Sequence, residues 1–170
     1  IIDKYEYEEV YKQGFNIKTP LDLNLQDIAT AALRKGLESY DKRRGWRGPI
    51  LNKKLNSEWN KELNKFSLEK SIGWELAIIK RIDKFEAVIE TENKKIGIIK
   101  YENINWTRKN LSQVFKTGDI VYVKKISEGN YNLKQFPLAN GGIVVMDPFS
   151  GRVLAMSGGF SFKKSEFNRT

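Results

Sequence analysis

Cysteine and histidine are both absent from the 170 residues. Without thiols there are no disulfides, no thiolate nucleophile and no thiolate metal site. Without imidazole there is no imidazole ligand and no imidazole base. No metal and no cofactor is therefore expected. No apolar run approaches the ~20 residues that cross a bilayer. No charged-then-apolar leader opens the chain either, so a membrane segment is not expected within it. Internal repeats and low-complexity tracts are also lacking.

What is present is a chain able to fold. It is 40% hydrophobic, 12% aromatic and 30% charged, enough for a core in one domain of ordinary size, or in a small domain with pieces of a neighbour attached. Lys and Arg number 30 against 21 Asp and Glu, a formal charge of +9. Most of that excess lies in residues 49–140, with 17 basic and 11 acidic side chains. A balance of this kind favours anionic partners or surfaces and says nothing about fold; the middle piece, not its flanks, is expected to meet them. The chain starts at Ile1 and stops at Thr170 with no turn or tail signal, and is read as a fragment.

Leu25, Ile28, Ala29, Ala32, Leu33, Gly36, Leu37 and Tyr40 recur at three- and four-residue steps, which predicts one amphipathic helix over about 22–42. Asp22 is its expected N-cap, and Gly45 its end, after the basic Lys42-Arg43-Arg44. Thr19-Pro20 disfavours helix, so Phe15 to Lys18 is predicted as a short strand leading in. Leu51, Leu55, Trp59, Leu63 and Phe66 fall roughly four apart, which predicts one or two short helices in 50–70. From Trp74 the period becomes two. Strands are predicted around Leu76–Ile82, Phe85–Ile89, Ile96–Tyr101, Ile120–Lys124 and Tyr131–Leu133, with a helical turn at Leu111–Phe115 before the fourth. Five short strands with Gly and Asn turns describe a small closed or part-closed barrel. Gly142–Asp147 and Arg152–Ser157 then form a hairpin about Asp147-Pro148-Phe149-Ser150-Gly151. Its first strand is apolar on both faces, as expected where something large covers it; within the chain the helix is the one evident cover.

Two flanking stretches resemble the bifunctional class A penicillin-binding proteins of the 1A type. One is Gly14-Phe15-Asn16-Ile17-Lys18-Thr19-Pro20-Leu21-Asp22, continuing to Arg47-Gly48-Pro49; it is similar to the opening of the family's transpeptidase part, where Thr-Thr-Leu-Asp is usual and Pro20 departs. The other is Gly141-Gly142-Ile143-Val144-Val145-Met146-Asp147-Pro148 with Gly151–Met156, Gly158-Gly159-Phe160 and Phe167-Asn168-Arg169. It is similar to the first transpeptidase hairpin and the run before its nucleophile. The family carries an OB-type barrel between these flanks.

The resemblance implies an α+β fold: a five-stranded OB-like barrel flanked by an N-terminal strand-helix and a C-terminal hairpin of a truncated transpeptidase domain. Residues 1–49 would be the transpeptidase-flanking piece, 50–138 the inserted barrel and 139–170 the hairpin. It implies a parent enzyme that polymerises glycan and performs D,D-transpeptidation, anchored in the inner membrane and facing the periplasm. The nucleophile of such an enzyme is the Ser of an S-x-x-K motif, with S-x-N and K-T-G elements completing the site. Implied partners are the remainder of the transpeptidase domain and, as in some relatives, an outer-membrane lipoprotein activator.

Apparent copies of these motifs occur here. Ser67-Leu68-Glu69-Lys70 and Ser161-Phe162-Lys163-Lys164 spell S-x-x-K, and Lys116-Thr117-Gly118 spells K-T-G. Loose patterns recur by chance in a Ser- and Lys-rich chain. Ser67 belongs to a polar run, Lys116-Thr117-Gly118 to the turn before a strand, and Ser161 precedes the Phe167-Asn168-Arg169 run that the family's nucleophile follows. No catalytic, cofactor-binding or metal-binding residue is therefore assigned, and the fragment is expected not to acylate. Asp147 is read as a turn residue accepting from backbone N–H groups. Arg43, Arg44 and Arg47 are read as a solvated cap at a helix end, with an anion contact as the alternative. Trp46, Trp59, Trp74 and Trp106 are read as core or rim. The expected function is a regulatory or scaffolding module. A single-stranded nucleic-acid-binding OB module is the alternative, disfavoured because Phe85 and Tyr101 alternate with Glu86, Glu90 and Glu102; no nucleic acid is expected.

Overall fold

The computed structural model describes residues 18–55, 59–60 and 63–164. Helix α1 runs Leu23–Arg43. Its N-cap is Asp22, whose Oδ1 accepts from the Leu25 amide at 3.0 Å and so satisfies one of the free donors of the first turn. After Arg44 the chain leaves through Gly45 at φ +87°. The strand expected over Phe15–Lys18 falls on undescribed residues except Lys18, which belongs to no strand.

One detail of the helix departs from expectation. Of the two four-spaced rows in the predicted stripe, the one running Leu25, Ala29, Leu33, Leu37 turns inward and extends to Asp41. The row Ile28, Ala32, Gly36, Tyr40 stays exposed. The reason is the width of what the helix meets: a two-stranded ribbon on one side needs a single row of side chains.

Residues 50–70 also differ. Among the described residues of this stretch, Leu51–Asn52 forms strand β1 and single 3-10 turns occur at Asn64–Phe66 and Lys70–Ile72, with no α-helix; residues 56–58 and 61–62, on which part of the expected helices falls, lie outside the described residues. Trp59 and Leu63 are nonetheless buried. The four-residue spacing reported burial against a wall, not helical periodicity.

The strands that follow are β2 (Glu75–Ile82), β3 (Glu86–Thr91), β4 (Ile96–Lys100), β5 (Asp119–Ser127) and β6 (Asn130–Lys134). A 3-10 segment over Tyr101–Thr107 and the short helix α2 (Leu111–Val114) lie between β4 and β5. The order β5-β2-β3-β4-β6, with β6 pairing back onto β5, closes a five-stranded barrel, and β1 adds to β5 through Leu51 opposite Ile120. All pairings are antiparallel except β4 with β6. Closure leaves few strand edges to pair wrongly.

The interior holds Ala77, Ile79, Ala87, Ile89, Ile99, Val121, Val123 and Leu133, with Ile104, Leu111 and Phe115 plugging one end. Trp46 and Trp106 stand edge-to-face at that core's margin, centroids 5.9 Å apart. A second core lies outside the barrel wall. There Leu76 and Ile78 of β2 and Ile120 and Tyr122 of β5 meet Trp59, Leu63, Trp74, Leu37 of α1 and Phe160. Both faces of β2 are thus buried over Leu76–Ile79, because one serves the barrel and the other the flanks.

The hairpin, β7 (Gly142–Met146) and β8 (Val153–Gly158), pairs with itself and with no barrel strand. It lies on α1. The Asp22 amide donates to Leu154 O at 2.8 Å, and the Gln26 amide group donates to Met156 O at 2.9 Å and accepts from Met156 N at 3.0 Å. The predicted turn is present, with Phe149 N donating to Asp147 Oδ1 at 3.0 Å and Gly151 at φ +69°.

Barrel and flanks are tied at one buried carboxylate. Asp41, 2% exposed, accepts from Arg47 Nη1 at 2.7 Å, Leu138 N at 3.2 Å and Gln135 Nε2 at 2.8 Å. The chain enters the barrel past Arg47 and leaves it past Gln135, so one side chain holds both crossings. Replacing it strands the Arg47 guanidinium and two further donors. Asp41→Ala is expected to lower stability by about 3 kcal/mol in urea titration, and Asp41→Asn by less, since its carbonyl still accepts.

Candidate functional site

The arginines at the end of α1 divide. Arg43 and Arg44 lie over the Tyr40 ring at 5.6 and 5.5 Å, near the helix C-terminus where cations are favoured. Arg47 instead joins the junction, its Nη2 donating to Phe136 O at 2.7 Å and its amide to Gln135 Oε1 at 2.9 Å. For Arg47 the solvated-cap reading is corrected. Gly45 and Gly48 take the chain sharply round, and that turn brings the guanidinium back onto Asp41.

A cleft of about 710 Å³ opens between α1 and the barrel. Arg34, Lys35 and Lys42 come from the helix, Lys124 and Lys134 from the barrel, against Asp27 and Glu38. Lys134 Nζ is 2.6 Å from Glu38 Oε2 and 5.3 Å from the Trp74 ring centre, and its side chain is only 11% exposed. Lys42 lies over Trp106 at 5.7 Å. Burial first, and then the charge of Lys134, hold the Lys42 ammonium below the usual lysine range, while Glu38 partly restores it. The excess of cations here is shared by helix and barrel, whereas the sequence placed it on the barrel alone.

The motif look-alikes are held in separate ways. Ser67 Oγ donates to Asn64 O at 2.7 Å, closing a 3-10 turn. The Lys116-Thr117-Gly118 turn is laced into the barrel wall: Asn52 Nδ2 donates to Thr117 O at 3.1 Å, Gly118 N to Ile79 O at 2.8 Å and Lys53 N to Gly118 O at 2.9 Å. Gly118 has φ +88°, and a Cβ there would stand 2.2 Å from the Lys53 carbonyl oxygen.

Ser161 is buried beneath the residues after β8, and its hydroxyl donates to Glu69 Oε2 at 2.7 Å. The partner of one look-alike serine is therefore the glutamate inside the other look-alike motif. Lys163 N donates to Glu69 Oε1 at 2.8 Å, and Lys164 Nζ bonds Lys65 O. Burial pushes the Glu69 carboxyl up, but the bonds from Lys163 N and Ser161, with the nearby Arg34 charge, more than offset it and leave it below the usual range. A carboxylate so stabilised is a poor base toward a hydroxyl. Sequence reasoning missed Glu69 altogether, and no motif marks it.

The exposed face of the hairpin is apolar. Val144, Met146, Val153 and Met156 share it, while Val145 and Ala155 turn toward α1. Phe149 at the turn is fully exposed. Among the described residues no cluster of three metal-ligating side chains occurs, and no helix is long and apolar enough to cross a membrane.

Two outcomes follow from this geometry. Gly118→Ala is expected to lose about 2 to 4 kcal/mol by thermal or urea unfolding, from backbone strain and the clash with Lys53. Glu69 titrates lower in the folded chain than unfolded, so its contribution is present above about pH 4.3 and is lost as pH falls below that. The protection of the Lys163 amide from hydrogen exchange, taken relative to its intrinsic rate at each pH, is expected to fall in acid, and Glu69→Gln to lower it at neutral pH.

Comparison with known proteins places these features. Residues 46–139 match the penicillin-binding protein OB-like domain family. Penicillin-binding protein 1A of Rickettsia felis is 39% identical over 166 residues, which are 95% of this chain and 21% of that protein. Penicillin-binding protein 1A of Pseudomonas aeruginosa is 30% identical over 176 residues, with the same two shares. The chain thus spans 21% of the length of these curated relatives. The crystal structure of penicillin-binding protein 1A from Haemophilus influenzae superimposes with a TM-score of 0.79 at 25% identity, covering 99% of this chain and 25% of that one. With a closed five-stranded barrel, matched over more than half the residues present, the chain belongs to the penicillin-binding protein OB-like domain family.

Proposed function

We propose that this chain is a non-catalytic docking and scaffolding part of a peptidoglycan synthase. In this reading the longer protein polymerises glycan strands and cross-links them by serine D,D-transpeptidation, in the periplasm and anchored to the inner membrane. Residues 1–49 and 139–170 belong to its transpeptidase part, and 50–138 are the inserted barrel. The names of the relatives support the enzyme class.

The observation that carries the reading is the separation of hairpin and barrel. The hairpin is gripped by α1 and pairs with no barrel strand, while its other face, Val144, Met146, Val153 and Met156, is bare. An apolar face of this kind is normal for a sheet whose remaining layers come from further along a chain, here the rest of the transpeptidase. The barrel, joined at the Asp41 junction, is then a guest that leaves the reaction to its host. Neither Ser67 nor Ser161 supports acylation in this reading: one hydroxyl closes a turn, and the other is spent on a carboxylate.

The partner that suits the barrel is acidic, because five cations face two carboxylates in the cleft beside α1. In this reading the partner is an outer-membrane lipoprotein activator that presents an acidic surface to the cleft. The chain, immobilised and offered envelope extract, is expected to retain an outer-membrane lipoprotein, and the double variant Lys35→Glu, Lys124→Glu to retain about tenfold less. Fluorescent penicillin is expected to label the longer protein and not this chain. Labelling of the chain at Ser67 or Ser161 would overturn the non-catalytic reading.

A further inference from the structure

At the end of the barrel that Leu111 helps to plug, two aromatic rings stand outside the closed core. Phe85 and Tyr101 continue the inward-facing rows of β3 (Ala87, Ile89) and β4 (Ile99), yet are 68% and 45% exposed. They are direct neighbours across the strands, since Tyr101 N donates to Phe85 O at 2.8 Å. Beside them lies a groove of about 480 Å³, floored by Ile82 and Leu111 and rimmed by Asp83, Asn110 and Ser112.

The polar rim is preset. Asp83 is held by Arg81 through two bonds to one oxygen, Nε at 3.0 Å and Nη2 at 2.9 Å, so Oδ2 is engaged and Oδ1 is left to accept. Asn110 stands at the start of α2 in a capping box, its backbone N–H donating to Gln113 Oε1 at 2.9 Å and its side-chain oxygen facing the Gln113 N–H, which leaves the side-chain NH2 to donate. Ser112 adds a hydroxyl. Lys84 lies over one side of the Phe85 ring at 5.3 Å, which props the ring and leaves it largely open to solvent.

We propose that this mouth is a glycan-binding groove, taking a short run of N-acetylated hexopyranose units. A pyranose offers an apolar C–H face that stacks on an aromatic ring and a belt of equatorial hydroxyls for acceptors and donors. A carboxylate, an amide and a hydroxyl around two rings match that distribution. Charge does not select a phosphate-rich strand here, because Asp83, Glu86 and Glu102 are balanced by Arg81, Lys84 and Lys100. Barrels of this type take oligosaccharides as well as oligonucleotides at sites that include the loop joining their first two strands. Here β3 and β4 are the second and third strands, and Asp83-Lys84-Phe85 is that loop. The choice of an N-acetylated glycan rests on the peptidoglycan-synthase reading: the groove would hold product strand beside the enzyme that extends or cross-links it.

The test is titration of the chain with chitotetraose, followed by amide chemical shifts. Saturable shifts at Asp83–Phe85, Tyr101 and Asn110–Ser112 are expected, with a dissociation constant on the order of 1 mM. Phe85→Ala is expected to weaken binding about tenfold with an unchanged melting temperature, because the ring is exposed, and Tyr101→Phe to keep it. Absence of shifts, equal binding by Phe85→Ala, or preference for oligothymidylate over the tetramer overturns the proposal. Penicillin labelling of the longer protein separates the two readings. If it labels and the chain ignores chitotetraose, the groove alone falls; if it does not label, the enzyme reading falls whatever the groove binds.

Discussion

The relation between barrel and flanks depends on one carboxylate. Asp41 ends the inward row of α1, and a buried charge there is tolerable only with donors on it. They arrive from both directions: Arg47 from the chain going into the barrel, Leu138 and Gln135 from the chain coming out. The donors are cross-braced as well, Arg47 to Phe136 O and Gln135 Nε2 to Gly45 O at 3.1 Å. Neither crossing can shift without stripping donors from a carboxylate that water does not reach. The few residues at this neck and the outer core together hold the barrel against its flanks.

Around that neck the two cores divide the work. The inner one makes the barrel a self-sufficient unit, sealed by the parallel contact of β4 with β6. The outer one uses the back of the same wall. Trp74 stands 5.1 Å from Phe160 and 6.0 Å from Tyr122, and Phe136 meets Phe160 edge-on at 5.3 Å, so residues from before, within and after the barrel share one aromatic group. Tyr122 reaches through it to donate to Phe66 O at 2.5 Å, and burial, with the charge of Glu92, pushes its phenol up to about 12. A wall packed on both sides stiffens the seat of the barrel, while the opposite mouth remains free of such cover.

Much of this was legible in the sequence, and the failures share a cause. The runs from Leu76 to Leu133 marked all five barrel strands: β3, β4 and β6 alternate about one buried face, while β2 and β5 are apolar runs bounded by turns because both their faces are covered. Asp22, Gly45 and the Asp147 turn were legible because each rests on a local backbone requirement. The segment from Leu51 to Phe66 misled: its apolar residues are spaced by the contour of the wall they cover, and no local periodicity follows from that. Ile28 and Tyr40 misled in the converse way, since amphipathic spacing does not disclose how wide a neighbour will be. At the site level, Arg47 was singled out for its charge and its helix end, but Asp41 meets it only round the Gly45 turn, and Gln135 and Phe136 lie 88 and 89 residues on, so none could be paired from spacing. Glu69, hidden inside a chance motif, had no signal at all.

The Gln26 side chain has a consequence for how a larger sheet can be assembled. Its amide reproduces, on Met156, the paired donor and acceptor that an adjoining strand would present, and the Asp22 N–H adds a donor to Leu154 O. One rim of the ribbon is thereby closed to accretion. By the alternation of an antiparallel ladder, Val144, opposite Met156, turns its own N–H and C=O outward on the other rim. Growth of the ribbon into a broader sheet is thus unidirectional: additional strands can be laid down beside β7 and nowhere else, with their handedness and order constrained before any of them arrives.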